Sequence, residues 1–324
     1  MTILVTGAAG FIGYHVCQKL LARGESVLGI DNLNNYYDVN LKKARLAQLT
    51  SHKMFEFKLI DIADQQTMQA FKADTPNIHR VVHLAAQAGV RYSLINPHAY
   101  AESNVMGHLN ILEACRAWAV QHLVYASSSS VYGANQKLPF SVHDPVDHPM
   151  SLYAATKRCD ELFSSTYSHL FGTPATGLRF FTVYGPWGRP DMAAFLFTKA
   201  LLEEKPLTLF NQGDMRRNFT YIDDITAGVL ACLDKPPAAS VQEPRHRIYN
   251  IGNDRSESLM DFMHTLERLT GKKAQIHLDA LQPGDVKETI ADITETTRDF
   301  GFKPTVNIEE GLQQFINWYR DYYA

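Results

Sequence analysis

The chain has 324 residues, of which 45% are apolar and 20% are charged, and its formal net charge is −3. This composition is typical of a globular protein with one large core or one core and a smaller lobe. It argues against nucleic acid or an anionic membrane as a partner, and no apolar run reaches the roughly 20 residues that span a bilayer. The four cysteines form no C-x-x-C pair, so we expect reduced thiols, a cytoplasmic location and no metal site.

The first 180 residues alternate short apolar runs with longer segments of helical periodicity. The apolar runs predict the strands Ile3–Thr6, Ser26–Ile30, Met54–Ile60, Val81–Leu84, Leu123–Ser127 and Thr176–Phe180. The segments between them predict the helices Phe11–Arg23, Leu41–Leu49, Gln65–Lys72, Ala99–Trp118 and Leu152–Phe171. Strands that are apolar throughout suit a parallel sheet buried on both faces. We therefore predict an α/β fold, with a Rossmann-type doubly wound sheet over residues 1–181.

After Thr182 this alternation ends, beginning with a loop rich in glycine and proline at residues 185–190. Helices are predicted at Phe195–Glu204, Ile222–Leu233, Ser256–Thr270 and Ile308–Tyr322. Strands are predicted at Leu207–Phe210, Ile248–Ile251 and Ala274–Leu278, and a surface loop at Asp234–Arg247. We expect residues 182–324 to form a smaller mixed α/β lobe that covers the substrate, with the chain free to cross back to the first domain.

A glycine-rich turn connects the first strand to the first helix, in the sequence Thr6-Gly-Ala-Ala-Gly-Phe-Ile-Gly13. Glycines there allow a tight turn, let backbone approach a pyrophosphate and let the helix pack on the sheet. The phosphates then meet the free N–H groups at the start of the helix. The pattern predicts a dinucleotide site, and the residues expected to contact the dinucleotide are Gly7, Gly10, Phe11, Ile12 and Gly13.

Acidic and small residues at the next strand ends extend this site. Asp31 ends the second strand, where a carboxylate binds a ribose diol and repels a 2′-phosphate, so it predicts NAD rather than NADP. Asp61 either meets the adenine or caps the helix that begins at Gln65, two alternatives that the sequence supports about equally. The other expected cofactor-binding residues are Asn32, Ile62, Leu84, Ala85, Ala86, Asn104, Tyr153 and Lys157.

The chemistry is predicted at Tyr153 and Lys157, whose spacing of four places both on one face of a helix. A cation beside a phenol favours the phenolate, which is a usable general base for a sugar hydroxyl. A lone Tyr-x-x-x-Lys pattern often arises by chance. Here it is supported by four serines, Ser127 to Ser130, at a strand end that lines the ligand crevice of such a sheet. All four hydroxyls are better explained as substrate ligands than as strand residues.

These motifs together resemble the extended short-chain dehydrogenase/reductase family over nearly the whole chain. The resemblance includes the segment Arg217 to Asp224 and the segment Gln282-Pro-Gly-Asp285, which are similar to that family's nucleotide-sugar motifs. Within the family, the segments Ala88 to Ser93 and Gly185 to Met192 resemble those of the UDP-glucuronate 4-epimerases. Such enzymes oxidise the sugar at C4 to a 4-keto intermediate and reduce it again from the other face.

The resemblance assigns further roles. It implies that Ser128 bridges the sugar O4 and Tyr153, and that Ser129 and Ser130 face the substrate carboxylate. Arg189 would bind the same end of the sugar, and Arg217 the diphosphate. The other implied substrate-binding residues are Arg91, Thr182 and Asp285.

Two positions depart from the family pattern. Many relatives have asparagine at Thr182 and arginine at Gln282, so Arg217 would need Arg91 or backbone donors as its partner. Arg91 could equally be a surface cation, and Arg189 could brace Asp191 within its own loop. Trp187 is as compatible with packing as with ligand contact.

The sequence therefore predicts NAD-dependent 4-epimerisation of UDP-glucuronate to UDP-galacturonate. A neutral UDP-hexose 4-epimerase, a UDP-glucuronate decarboxylase and a non-catalytic NAD-sensing regulator remain as alternatives. A 4,6-dehydratase is disfavoured because serines occupy the two positions where it would carry Asp and Glu. The two long helices Ala99–Trp118 and Leu152–Phe171 resemble the family's dimer-forming pair, so a homodimer is expected.

Overall fold

The computed structural model describes residues 1–238, 244–282 and 284–323. Its strands are β1 (Thr2–Thr6), β2 (Ser26–Asp31), β3 (Phe55–Leu59), β4 (Ile78–His83), β5 (His122–Ser128), β6 (Ala175–Phe180), β7 (Thr182–Tyr184), β8 (Pro206–Leu209), β9 (Arg216–Arg217), β10 (Phe219–Tyr221), β11 (His246–Ile251), β12 (Glu257–Ser258) and β13 (Gln275–Leu278). Its α-helices are α1 (Phe11–Ala22), α2 (Val39–Thr50), α3 (Gln65–Asp74), α4 (Pro97–Tyr100), α5 (Gly107–Trp118), α6 (Leu152–Phe171), α7 (Ala193–Leu202), α8 (Ile222–Leu233), α9 (Leu259–Thr270), α10 (Thr294–Phe300) and α11 (Ile308–Tyr323).

Seven parallel strands form the central sheet, in the order β11-β6-β5-β4-β1-β2-β3. Side chains of adjacent residues in β1 lie in two different hydrophobic cores: Ile3 and Val5 pack on one face of the sheet, and Leu4 packs on the other. Helices cover both faces, and this double burial is why the strands are apolar at successive positions. The predicted Rossmann-type α/β fold is confirmed.

The predicted helix Ala99–Trp118 is wrong in detail, because a wider π-helical turn at Ala101–Met106 separates α4 from α5. Asn104 lies in this turn, and its side-chain amide donates to the Gln87 carbonyl and accepts from the Gln87 N–H. These bonds hold the widened turn against the segment that follows β4. Because they join residues far apart in the sequence, the apolar periodicity of the helix could not predict the turn.

The later part of the chain forms small two-stranded sheets, pairing β7 with β10, β9 with β12 and β8 with β13. The strands β7 and β10 and the helix α10 were not predicted, because three to seven residues are too few for a clear periodicity. β11 crosses back and extends the large sheet beside β6. It begins at His246, inside the predicted loop Asp234–Arg247, of which residues 239–243 lie outside the described part. None of the described helices has the length and apolar character that a membrane crossing requires.

Candidate active site

One large cavity, of about 790 Å³, opens at the carboxyl ends of the central strands and is also lined by residues from the later part of the chain. All but one of the predicted site residues line it: Gly7, Gly10, Phe11, Ile12, Gly13, Asp31, Asn32, Asp61, Ile62, Leu84, Ala85, Ala86, Arg91, Ser128, Ser129, Ser130, Tyr153, Lys157, Thr182, Arg189, Arg217 and Asp285. The exception is Asn104, which is buried and bonded to Gln87 and to the Thr156 hydroxyl. Its side chain supports the wall behind the cavity rather than facing into it.

The glycine-rich turn leaves no space for side chains. Gly7 has a φ of +70°, and a Cβ built on it would lie 2.8 Å from the Ala85 nitrogen. A Cβ on Gly13 would lie 2.0 Å from the Gly7 oxygen. Gly10 precedes α1 and supplies no side-chain cap, so the first N–H groups of the helix are available at the cavity. This bare cradle at a helix N-terminus fits a dinucleotide pyrophosphate.

Asp31 lies at the end of β2 in a fixed orientation. Its carboxylate accepts hydrogen bonds from the N–H groups of Ala9 (3.2 Å) and Leu33 (2.8 Å). Burial raises the pKa of Asp31, although these bonds and the charge of Lys42 act against the increase. A carboxylate held by two backbone donors at the cavity wall is suited to accept hydrogen bonds from the hydroxyl groups of a ribose.

Asp61 and Asn32 lie together beside Asp31, where the Asn32 amide donates to the Asp61 carboxylate at 3.1 Å. The alternative role of Asp61 as the cap of α3 is wrong. That cap is Asp64, whose side chain accepts from the Gln66 and Thr67 N–H groups. Asp61 lines the cavity, and its contact with the adenine stays a prediction.

Tyr153 lies in the first turn of α6, which Ser151 caps by accepting from the Ala154 N–H. The Tyr153 ring packs edge-on against Tyr100, with centroids 6.0 Å apart. Its hydroxyl has no hydrogen-bond partner within the described part of the chain. Lys157 lies one turn further along and donates to the Ala126 carbonyl (2.9 Å) and to Asp160 (3.0 Å). Sequence reasoning missed Asp160, although an acid three residues after a lysine is a detectable helical pairing.

The four serines do not share one role. Ser127 is buried and its hydroxyl donates to Glu161 at 2.6 Å, although the residue also lines the cavity, so its role as a substrate ligand stays a prediction. The Ser128 oxygen accepts from the Ser130 N–H at 3.1 Å, which starts a short 3₁₀ turn over Ser129–Tyr132. All four serines line the cavity, and Ser127 in addition anchors the strand end through Glu161.

A buried ion pair lies directly behind the serines. Arg179 on β6 donates through Nε and Nη2 to the two carboxylate oxygens of Glu161, at 2.8 and 2.9 Å. The Arg179 guanidinium also lies 4.9 Å from the centroid of the Tyr132 ring. Burial opposes ionisation of Glu161, but its bonds to Arg179 outweigh that cost and lower its pKa. The pair joins the catalytic helix α6 to the strand ends β5 and β6.

Arg189 makes a local ion pair across the cavity mouth, donating through Nε to Asp191 at 3.0 Å. Asp191 also accepts from the Tyr36 hydroxyl at 3.0 Å. Burial would raise the pKa of Asp191, but the charge and hydrogen bonds of Arg189 outweigh it, so the pKa is lowered. The bracing of Asp191 that the sequence left open is thus present, and the guanidinium has five donors, so others remain for a ligand.

Two arginines converge on Asp285 at the far end of the cavity. Arg217 donates to its carboxylate at 2.7 Å, and an Arg91 nitrogen lies 3.7 Å from the other oxygen. Gln282 does not line the cavity, and Pro283 in the same motif lies outside the described residues. Arg91 therefore occupies the position of a second cation beside Arg217.

Comparison with known proteins agrees with this geometry. Residues 3–252 match the model of the NAD dependent epimerase/dehydratase family. Protein CapI of Staphylococcus aureus is 47% identical, over 100% of this chain and 99% of that protein. UDP-glucuronate 4-epimerase 2 of Arabidopsis thaliana is 46% identical, over 100% of this chain and 76% of that protein.

Among solved structures, the UDP-glucuronic acid 4-epimerase of Bacillus cereus in complex with UDP-glucuronic acid and NAD is similar, at 36% identity and a TM-score of 0.92. The likeness covers 100% of both chains. The resemblance to the extended short-chain dehydrogenase/reductases is confirmed over the full length of the fold. The chain belongs to the NAD dependent epimerase/dehydratase family.

Proposed function

We propose that this protein converts UDP-glucuronate and UDP-galacturonate into one another by NAD-dependent epimerisation at C4. The observation that carries the proposal is the convergence of Tyr153, Lys157 and Ser128 with a further pair of serines in one cavity. The same cavity is also lined by the glycine cradle and by the arginines Arg91 and Arg217. The named relatives from Arabidopsis and Bacillus cereus, which carry this activity in their names, support the same substrate.

The chain supplies the proton chemistry. Tyr153 accepts the O4 proton and later returns it, while Ser128 lies within the same cavity to orient O4. Lys157 provides the positive charge that favours the Tyr153 phenolate. The glycine cradle would hold NAD, which would supply the hydride acceptor and donor for C4. Because the sugar must present both faces of C4, it has to turn about its link to the diphosphate between the two transfers.

The diphosphate is assigned to Arg217 with Arg91 as its partner. In the described structure both arginines face the single carboxylate of Asp285, so one negative charge is shared by two cations. A diphosphate at this end of the cavity would restore the balance of charge and accept several charge-assisted hydrogen bonds. The two strong anchors would leave the sugar itself free to turn.

Binding of the glucuronate carboxylate is assigned to Ser129, Ser130 and the N–H donors of Arg189 that Asp191 does not use. A 4-keto glucuronate is a β-keto acid, which loses CO₂ when the bond to its carboxylate aligns with the carbonyl π system. Hydrogen bonds from hydroxyls and a guanidinium are directional, so they can hold the carboxylate out of that alignment. This requirement distinguishes an epimerase of the acid from a decarboxylase.

The direct test of the proposed activity is incubation of the purified protein with UDP-glucuronate, followed by NMR of the product. We expect UDP-galacturonate, identified by the smaller H3–H4 coupling that follows from inversion at C4. A UDP-pentose would indicate the decarboxylase, and conversion of UDP-glucose but not of the acid would indicate the neutral-sugar enzyme. Binding of NAD with no turnover of any UDP-sugar would indicate the regulator.

Replacing Asp31 tests the cofactor assignment. We expect Asp31→Ala to weaken NAD binding by roughly 10-fold or more, because a charged hydrogen-bond acceptor is lost. It should also reduce the preference for NAD over NADP, since the repulsion of a 2′-phosphate disappears. Fluorescence titration with both dinucleotides measures the two effects. Tighter binding of NADP than NAD by the unaltered protein would contradict the role of Asp31.

Replacing Arg189 tests the carboxylate assignment. We expect Arg189→Ala to bind UDP-glucuronate roughly 10- to 150-fold more weakly, because the carboxylate loses one charged hydrogen-bond partner. Its affinity for UDP should change little, and mass spectrometry should detect a product lighter by CO₂. Asp191→Ala is the matched control, because it removes the loop brace and leaves the guanidinium in place.

If Asp191→Ala reproduces the effects of Arg189→Ala, then Arg189 acts as a brace and not as a ligand. Unchanged affinity for the acid and no decarboxylated product in Arg189→Ala would lead to the same conclusion. In either case a neutral UDP-hexose becomes the better substrate, because the acid would lack its cationic partner.

A homodimer and a cytoplasmic location complete the proposal. The outward face of α6 exposes apolar side chains, with Leu162 and Leu170 more than half exposed and Phe171 nearly so. Met106, in the turn before α5, adds to this apolar surface. Exposed apolar residues on the two long helices are what a helix-to-helix dimer contact requires. The four free cysteines suit a reducing compartment.

A further inference from the structure

The ammonium group of Lys157 is held by two partners. It donates to the Ala126 carbonyl at the end of β5 and to Asp160 three residues along α6. An ammonium has three N–H donors, so one remains for a ligand in the cavity. The side chains of Lys157 and Asp160 are only 3% and 1% exposed, so solvent screens this contact little.

Within the described residues, only one of the two carboxylate oxygens of Asp160 accepts a hydrogen bond. Its Oδ2 accepts from Lys157, whereas its Oδ1 is buried with no partner in the part of the chain that the structure describes. Burial raises the pKa of Asp160 to about 6, even though the neighbouring Lys157 charge opposes the rise. Its carboxyl group therefore gains or loses its charge close to neutral pH.

The other titratable groups around Asp160 do not change charge in that range. Burial lowers the pKa of His83, on β4, to about 3 and also lowers that of His108, on α5, so both rings stay neutral. Burial raises the pKa of Tyr125, on β5, which keeps that phenol protonated. These three residues surround the Lys157–Asp160 pair with neutral rings.

The remaining titratable neighbours of Asp160 also keep one charge state near neutral pH. Glu161 stays ionised because Arg179, on β6, holds it in an ion pair. Burial raises the pKa of the Cys159 thiol on the same helix and lowers that of His246, on β11, to about 4. Of the groups named here, Asp160 is the one whose charge varies near neutral pH.

We propose that Asp160 is a positioning residue: its buried carboxylate holds the Lys157 ammonium at the end of β5 and offsets its charge, which limits how strongly Lys157 favours the Tyr153 phenolate. The inference rests on the proposed role of Tyr153 as the base. While Asp160 is ionised, Lys157 and Asp160 are neutral as a pair and act weakly on the phenol. Without the negative charge of Asp160, the full charge of Lys157 would act on the Tyr153 phenol.

Two substitutions separate the charge of Asp160 from its position. Asp160→Asn keeps an oxygen that can accept from Lys157 but removes the charge. We expect the acid limb of its kcat/KM profile to move to lower pH by about half to one pH unit, because Lys157 is no longer offset. Asp160→Ala removes the acceptor as well, and we expect a further loss of about 10-fold in kcat at every pH from the unheld lysine.

A second measurement does not depend on turnover. The raised pKa means that the folded protein favours protonated Asp160, so this contribution to stability is complete at low pH and is lost as the pH rises through about 6. The denaturation midpoint of the unaltered protein should therefore fall relative to Asp160→Asn between about pH 5 and pH 7.5. Asp147→Asn is the matched control, because its carboxylate is 70% exposed and the change in net charge is the same.

The outcomes distinguish the two proposals. Normal turnover of UDP-glucuronate with superimposable pH profiles for wild type and Asp160→Asn overturns the role of Asp160 alone. An equal shift in Asp147→Asn also overturns it, since net charge would then be the cause. If the wild type leaves UDP-glucuronate unchanged, the proposed substrate is wrong, and the same profiles are measured with UDP-galactose. Absence of turnover with both sugars overturns both proposals.

Discussion

Tyr153→Phe is expected to reduce turnover by at least about 10²-fold, because it removes the one group assigned to accept the O4 proton. The Tyr153 hydroxyl lines the cavity and, within the described residues, makes no hydrogen bond that its loss would break. The ring contact with Tyr100 is retained by phenylalanine. The loss should therefore appear in kcat rather than in stability or in substrate affinity.

The measurement combines steady-state kinetics with titration of UDP. UDP affinity should stay within about twofold of the wild type, since it depends on Arg217 and Arg91 at the other end of the cavity. The released nucleotide after denaturation should still be NAD. Near-normal rates in Tyr153→Phe would contradict the proposed mechanism. Loss of both turnover and UDP binding would instead indicate a misfolded variant.

Glu161→Gln should lower the free energy of unfolding by about 3–5 kcal/mol, because it leaves the Arg179 charge buried without its carboxylate. Both side chains are at most 3% exposed, so water cannot replace the lost partner. The same change weakens the anchor of Ser127, so the serines that follow it should lose their fixed orientation. We therefore expect weaker binding of UDP-glucuronate in the fraction that folds.

Denaturant unfolding measures the effect, with Glu309→Gln as the control. Glu309 pairs with Arg268 at 2.9 Å, but both side chains are more than half exposed, so its loss should cost less than about 1 kcal/mol. The double variant Glu161→Met with Arg179→Met should recover much of the stability, because no fully buried charge remains unpaired and Arg158, which also donates to Glu161, is 30% exposed. Equal losses in Glu161→Gln and Glu309→Gln would contradict the special role of the buried pair.

Much of the fold could be predicted because its signals are local. α6 was predicted at its observed bounds, since Ser151 provides the N-cap and Gly172 ends the helix with a φ of +69°. The apolar strands were predicted within three residues of their observed ends, because burial on both faces requires apolar residues at successive positions. The short strands β7 and β10 and the π-helical turn at Asn104 were missed, because each depends on a partner elsewhere in the chain.

The sequence by itself determined the chemical inventory of the site: a bare glycine turn, an acid after the second strand, a Tyr–Lys pair and a run of serines. These features depend on residue type and on spacing within one or two elements, and the topology of a parallel sheet then brings all strand ends to one edge. For this reason, nearly all of the predicted residues line one cavity.

Only the tertiary structure decided which charges become partners. Arg179 meets Glu161, Arg91 joins Arg217 at Asp285, and the Ser127 hydroxyl donates to the already paired Glu161. Even the pairing of Lys157 with Asp160 gains its strength from burial rather than from the helical spacing. The physical reason is that the strength of an ion pair depends on how much water the surrounding elements exclude, and this exclusion exists only after the chain has folded.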